Sequence, residues 1–218
     1  MSDVLGEVAA ALRGSAEARR ATVANWLADR AGRSAAAPAC VTENVLGQFR
    51  AQAQAASCVI QCVSSAQQIV PTLDVALRRW DAGRRVVAAP DPLLRSWLGG
   101  FANLDIRFGT ATAADLVAIM LPLAAVAETG TLVVHSGPAC PTSLAFLPDY
   151  FVAVVPHSRV LPTYEAALER VPRGTAGEAM PRRISLVTGP SRTADIEEMI
   201  LLGAHGPRTV LVIMVESL

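Results

Sequence analysis

Glu128 closes an apolar run and is followed by Thr129, Gly130 and Thr131. A carboxylate at a strand end, beside a glycine turn and two hydroxyls, can serve as a general base or a nucleophile. The same residues also suit an ordinary hairpin, because turns favour polar side chains and glycine. A second group is Thr188-Gly-Pro-Ser-Arg-Thr-Ala-Asp-Ile-Glu197. Here an apolar run ends, the loop Gly189-Pro190-Ser191 comes next, and the pattern predicts a helix from Thr193. Free N–H groups in a first helical turn attract anions. Gly189 permits close backbone approach, and Ser191 and Thr193 offer hydroxyls. Arg192 can clamp a carboxylate or phosphate with two parallel hydrogen bonds. Asp195 and Glu197 fall in the first turns, where they complement the helix dipole. They would repel a phosphate unless Arg192 offsets them, so a well-capped helix without a ligand is the competing reading. Asp195 can alternatively hold Arg192 or a substrate hydroxyl in place.

The third group is Leu202-Gly-Ala-His-Gly-Pro207. Gly203 suits a helix C-cap, Gly206-Pro207 a turn, and His205 gains from the dipole when protonated. A helix over Thr193–Leu202, about 15 Å long, would hold Ser191 and His205 at opposite ends. They are therefore not expected to share a site within one subunit. His135 and His157 stand alone, so a His-rich metal site is not expected. A Ser–His–Asp triad has no Gly-x-Ser-x-Gly to support it.

These residues need elements to position them. The chain has 218 residues, 52% hydrophobic and 17% charged, which is ample core for one domain with an N-terminal appendage. The division expected is a helical segment over 1–56 and an α/β domain over 57–218. Val4–Leu12, Ala16–Ala31 and about 43–55 read as helices, the last with Val45, Leu46 and Phe49 on one face. They would form either a lid or an oligomerisation arm, so a homo-oligomer is possible.

From Ser57 onward short apolar runs alternate with helical stretches. Strands are expected at Cys58–Val63, Val86–Ala89, Leu104–Phe108, Tyr150–Val155, Ile184–Thr188 and Thr209–Val215. Ala124–Glu128 and Leu132–His135 flank Thr129-Gly130 and read as a hairpin or a tight bend. Helices are expected at Leu73–Arg79, Thr163–Arg170 and Pro92–Leu98, the last capped by Asp91. Such alternation implies a mostly parallel central sheet with helices on both faces. Pro172–Pro181 reads as a surface loop.

The 19 basic and 19 acidic residues cancel, which gives no reason to expect nucleic acid or an anionic membrane as partner. Every basic residue is arginine. Without lysine there is no Schiff-base chemistry and no phosphate-loop lysine. The four cysteines (Cys40, Cys58, Cys62, Cys140) include no Cys-x-x-Cys pair, unlike zinc ribbons and iron–sulfur motifs. Cys58 and Cys62 are expected to be reduced core residues, with a redox pair as the alternative. The N-terminus lacks the features of a signal peptide. The apolar segment Leu116–Ala127 is too short to span a bilayer, so a cytoplasmic protein is expected.

Taken together, Ala127–Leu132, Thr188–Glu197 and Leu202–Pro207 resemble the LUD-domain family, also called lactate utilisation protein C. The resemblance covers roughly Ser57 to the C-terminus. It implies an α/β fold similar to the sugar-phosphate isomerase and CoA-transferase superfamily, shared with folate cyclo-ligases. It also implies a role in bacterial oxidation of L-lactate to pyruvate, beside partner proteins that carry iron–sulfur clusters. This chain looks like the non-redox member, and no cofactor is assigned to it. Where relatives tend to carry a Thr-Gly-Ala-Asp-like stretch, this sequence reads Ile119-Met-Leu-Pro-Leu-Ala124. Three functions fit, and the first is preferred, with Ser191, Arg192 and Thr193 as anion contacts and Glu128 as polar partner. The first is an accessory subunit binding a small anionic ligand through Thr129–Thr131, Gly189–Thr193 and Asp195. The second is an enzyme, CoA-transferase-like or folate cyclo-ligase-like, using Glu128. The third is a scaffold without chemistry.

Overall fold

The computed structural model describes residues 42–99, 104–172, 180–196, 199–203 and 205–217, and the isolated positions 21 and 25. The chain divides into two compact units, 1–37 and 38–218. Apart from positions 21 and 25, the helices expected before residue 32 lie outside the described residues, as does most of the loop expected at Pro172–Pro181.

In the larger unit, helix α1, Val45–Ala55, begins where Asn44 accepts from the N–H of Gly47, and its Phe49 and Ala53 are fully buried. The chain leaves it through Ser57, at φ 68°, and enters strand β1, Val59–Ser65. Helix α2, Ile69–Trp80, buries Ile69, Val70, Leu73 and Leu77, one stripe at helical spacing. Pro71 is tolerated because its missing N–H falls in the first turn. Strand β2, Arg85–Ala88, leads to helix α3, Pro92–Leu98. As its sequence requires, Asp91 accepts from the N–H groups of Leu93 and Leu94. Strands β3 (Asp105–Phe108), β4 (Val117–Met120), β7 (Tyr150–Pro156) and β12 (Thr209–Ser217) complete a six-stranded sheet. Its order is β1-β12-β7-β4-β2-β3, and every neighbouring pair is parallel. Central strands of such a sheet are covered on both faces, so they are apolar without alternation. Val152–Val154 and Val212–Val215 are accordingly fully buried.

Strands β5 (Ala124–Val126) and β6 (Thr131–His135) form the expected hairpin. With β8 (Val160–Leu161) and β9 (Ile184–Val187) they make a second, mixed sheet ordered β8-β5-β6-β9. The sequence pattern points to one mostly parallel sheet; the structure has a six-stranded parallel sheet, a four-stranded mixed sheet and a separate two-stranded hairpin. Short antiparallel strands alternate with turns much as crossover strands do, so sheet membership is not written locally. Helix α4, Tyr164–Glu169, is capped by the Thr163 hydroxyl.

Two expectations are corrected. Thr193–Leu202 is no helix. It is a β-hairpin of β10 (Arg192–Ile196) and β11 (Met199–Leu202), paired Arg192 to Leu202 and Thr193 to Leu201. Cys58 is buried but Cys62 is exposed, in the middle of β1, an edge strand of the large sheet. No helix of the described residues is long and apolar enough to cross a membrane.

Candidate functional site

Glu128 lies just past β5 and is half-buried. Its Oε1 accepts from the N–H of Tyr164 at 2.9 Å, and its own N–H donates to the Pro162 carbonyl at 3.2 Å. The carboxylate thus caps the first turn of α4, leaving its second oxygen for other partners. Thr131 is the fully buried polar residue of the neighbourhood. Its hydroxyl lies 2.7 Å from that of Thr129, 2.8 Å from the Tyr164 phenol and 2.7 Å from the Thr188 hydroxyl. Thr129 also donates to Tyr164 at 2.9 Å. Four hydroxyls, each donor and acceptor, satisfy one another there. Through Thr131 and Thr188 the cluster ties the Glu128 motif directly to the Gly189 loop. Tyr164 is not marked by the sequence pattern; its only signal is its place just after the cap residue Thr163.

Replacing the expected helix by a hairpin changes the geometry around Ser191. The N–H of Ser191 donates to the Pro207 carbonyl, and the N–H of Gly203 donates to the Ser191 carbonyl, both at 2.9 Å. A hairpin returns the chain to its starting point where a helix would carry it away. Ser191 and His205, expected far apart, therefore line one cavity of about 220 Å3. Gly206 sits so close that a Cβ there would lie 3.2 Å from the Ser191 Cβ. The other walls include Thr188, Gly189, Pro207 and Phe146. Phe146 and neighbouring Leu147 are exposed apolar residues that the sequence pattern does not mark. Glu128 is not among the lining residues. Thr193 and Asp195 lie on β10, not at a helix N-terminus, so no helix dipole is there to attract an anion. Glu197 lies outside the described residues.

Both motif glycines close on α1. At Gly130 (φ 70°) an added Cβ would lie 2.2 Å from the Ala53 nitrogen, and at Gly189 (φ 79°) 2.0 Å from the Ala56 carbonyl oxygen. Only glycine combines that backbone conformation with such an approach. Arg192 donates from its guanidinium to the Ser57 hydroxyl, just past α1, and among the described residues it forms no ion pair. Burial pushes the Cys58 thiol up to about 11, against the lowering effect of a hydrogen bond from the Gly189 backbone. The end of α1 is thus the surface on which the motif segments meet. Its sequence, Gln-Ala-Gln-Ala-Ala-Ser57, carries no chemical signature that would have announced this. Among the described residues no group of three or more His, Cys, Asp or Glu is gathered as a metal site.

Residues 111–215 match the family model described as LUD domain. A lactate utilization protein C 1 of Bacillus mycoides is 36% identical over 122 residues, 55% of this chain and 51% of the relative. A lactate utilization protein C of Bacillus subtilis is 35% identical over 117 residues, 53% of this chain and 43% of the relative. The matches thus span about half the length of these curated relatives. A crystal structure of a DUF162 family protein from Deinococcus radiodurans superposes with a TM-score of 0.58 at 22% identity. It covers 79% of this chain and 96% of that one, and it shows a shared fold.

Proposed function

From the match of residues 111–215 to the LUD domain model, we propose that the chain is the non-redox component of a bacterial system that oxidises L-lactate to pyruvate. In this reading it works beside iron–sulfur partner proteins and holds a small anionic ligand next to Ser191. The names of its relatives support the lactate role. The observation that carries the site is the double clamp on Ser191, which puts its side chain and His205 on one cavity wall, with Arg192 adjoining in sequence. A hydroxyl, an imidazole and a guanidinium are all donors suited to a carboxylate. Gly189 lines the same cavity, and the hydroxyl cluster holds its loop in place through Thr188.

The test is a melting series on the purified protein with L-lactate, pyruvate, coenzyme A, ATP and a reduced folate. A ligand at about 100 times its Kd adds roughly 2.7 kcal/mol and raises the melt by several degrees. The expected result is a shift with lactate or pyruvate, lost in Ser191→Ala and Arg192→Gln. A shift with coenzyme A, ATP or folate alone, abolished by Glu128→Gln, would replace this reading with an enzyme that uses Glu128. No shift with any of them, in a protein that still supports lactate oxidation beside its partners, would leave a scaffold.

A further inference from the structure

A second flank of α2 stays outside the core. Ile69, Val70, Leu73 and Leu77 form the buried stripe, whereas Thr72, Val75, Ala76, Arg79 and Trp80 repeat at helical spacing beside it. This flank is one wall of a cavity of about 370 Å3. The other wall is a patch of the large sheet. Side chains two apart on a strand share a face. Val59 and Gln61 of β1 therefore stand with Thr209 and Leu211 of β12, and Val59 pairs with Leu211. Because β1 is an edge strand, no further strand among the described residues closes the cavity on that side. None of these residues lines the Ser191 cavity.

The polar groups of the cavity lack partners. Among the described residues the side chains of Gln61, Thr72, Arg79 and Thr209 form no hydrogen bond or ion pair. Arg78, by contrast, is held by Asp74 at 2.7 Å. Trp80 is fixed in its plane by Tyr150, which opens β7: the rings stack with centroids 4.5 Å apart and 12° between planes. Tyr150 does not line the cavity, so it covers one face of the indole and leaves the rest of the ring to the cavity. Apolar walls, an immobilised aromatic ring, one guanidinium and three neutral hydrogen-bonding groups are the make-up of a small-molecule site. An apolar helix docked here would instead bury those four polar side chains without partners, which is unfavourable.

We propose that this cavity binds a small planar aromatic monocarboxylate. The ring of the ligand lies against the Trp80 indole and covers Val59 and Val75, which are otherwise exposed. Its carboxylate takes parallel hydrogen bonds from Arg79. The Gln61 amide and the Thr72 and Thr209 hydroxyls, each donor and acceptor, meet a polar atom in or on the ring. Arg79 stands in the last turn of α2, where a helix carries about half a negative charge. One guanidinium against that partial charge suits a monoanion and disfavours a phosphate dianion. The site does not depend on the Ser191 cavity being occupied.

Of the three tryptophans, Trp26, Trp80 and Trp97, it is Trp80 that lines the cavity. The full chain, labelled with 15N-tryptophan, is titrated with nicotinate, cyclohexanecarboxylate and inorganic phosphate at constant pH and ionic strength. Trp26→Phe and Trp97→Phe assign the indole N–H signals, so Trp80 itself is left in place. The expected result is a saturable shift of the Trp80 signal with nicotinate, binding of cyclohexanecarboxylate weaker by about fivefold, and no response to phosphate. In Arg79→Gln the affinity for nicotinate falls about tenfold or more, and in Arg78→Gln and Ser191→Ala it is unchanged. Arg79 is exposed and unpaired, so its replacement leaves the fold intact, which an unchanged melting temperature checks. No saturable shift at Trp80, or equal affinity in Arg79→Gln, overturns the site. Equal affinity for cyclohexanecarboxylate overturns the aromatic assignment, and an equal response to phosphate overturns the monocarboxylate assignment. A Trp80 signal that moves with protein concentration and not with nicotinate overturns the proposal in favour of a second copy of the chain in the groove.

Discussion

Cys62 and the two buried cysteines have the same side chain in opposite surroundings. Cys62 is exposed, whereas Cys58 and Cys140 are 6% and 5% exposed, with thiols held near 11 mainly by burial. At pH 8 a thiol of that kind is ionised in about one molecule in a thousand, and the thiolate is the reactive form. Iodoacetamide is therefore expected to modify Cys62 well before Cys58 or Cys140 in the native protein, as read by peptide mass spectrometry. The same shift sets a pH dependence of stability. In the unfolded chain these thiols ionise near 9.0, and in the folded chain near 11. Between those values the unfolded state has released protons that the native state retains, so stability falls as pH rises. The loss approaches about 1.4 kcal/mol per pH unit for each thiol across that window. Urea melts at pH 8 and pH 10.5 should show it, and the double variant Cys58→Ala, Cys140→Ala should show a shallower slope.

At Gly130 and Gly189 a strand-end turn is pressed onto the backbone of α1, so each glycine joins two elements rather than ending one. A methyl group at Gly130 would meet the Ala53 nitrogen at 2.2 Å, in a backbone region that disfavours other residues. Main-chain atoms of a helix cannot swing aside as a flexible side chain can. Gly130→Ala is expected to cost about 2–5 kcal/mol, combining left-handed strain with overpacking. Gly83, also at positive φ but with nothing within 4 Å of an added Cβ, is the control. Gly83→Ala should lose only about 1–2 kcal/mol, from the backbone alone. Denaturant titration of the two variants separates the contributions.

For the larger unit as a whole, α1 is structural. Phe49 and Ala53 are buried in the main core, and both motif glycines rest on the same helix. A fragment beginning at Ser57, where the sequence changes texture, would leave that core open. It is expected to lose cooperative thermal unfolding, whereas a fragment beginning at Pro38 should keep it. Differential scanning calorimetry of the two distinguishes them, and equal melts would show that α1 is dispensable.

The elements legible in the sequence are those whose local pattern and local energetics agree. Helix α2 has one apolar stripe, α3 has its Asp91 cap and Pro92, and the Val-rich strands β7 and β12 need no alternation because both faces are covered. The motif residues Glu128–Thr131, Gly189–Arg192 and Gly203–Gly206 could be picked out by type and spacing, and the hairpin at Gly130 followed from its turn residues. The segment Thr193–Leu202 could not be read in this way. Its Thr-Ala-Asp start resembles a capped helix, while β-branched Thr193, Ile196 and Ile200 suit a strand equally well. Ser191, anchored through both Pro207 and Gly203, draws the two ends of that segment together, and a hairpin satisfies this closure where a helix cannot. Tertiary structure alone decided that Ser191 and His205 share a cavity, that Thr131 and Thr188 join two motifs, and that Arg159 meets the Pro122 carbonyl. Each of these contacts joins residues far apart in sequence, or on segments whose local preference is divided, and no periodicity within one segment encodes the packing that brings them together.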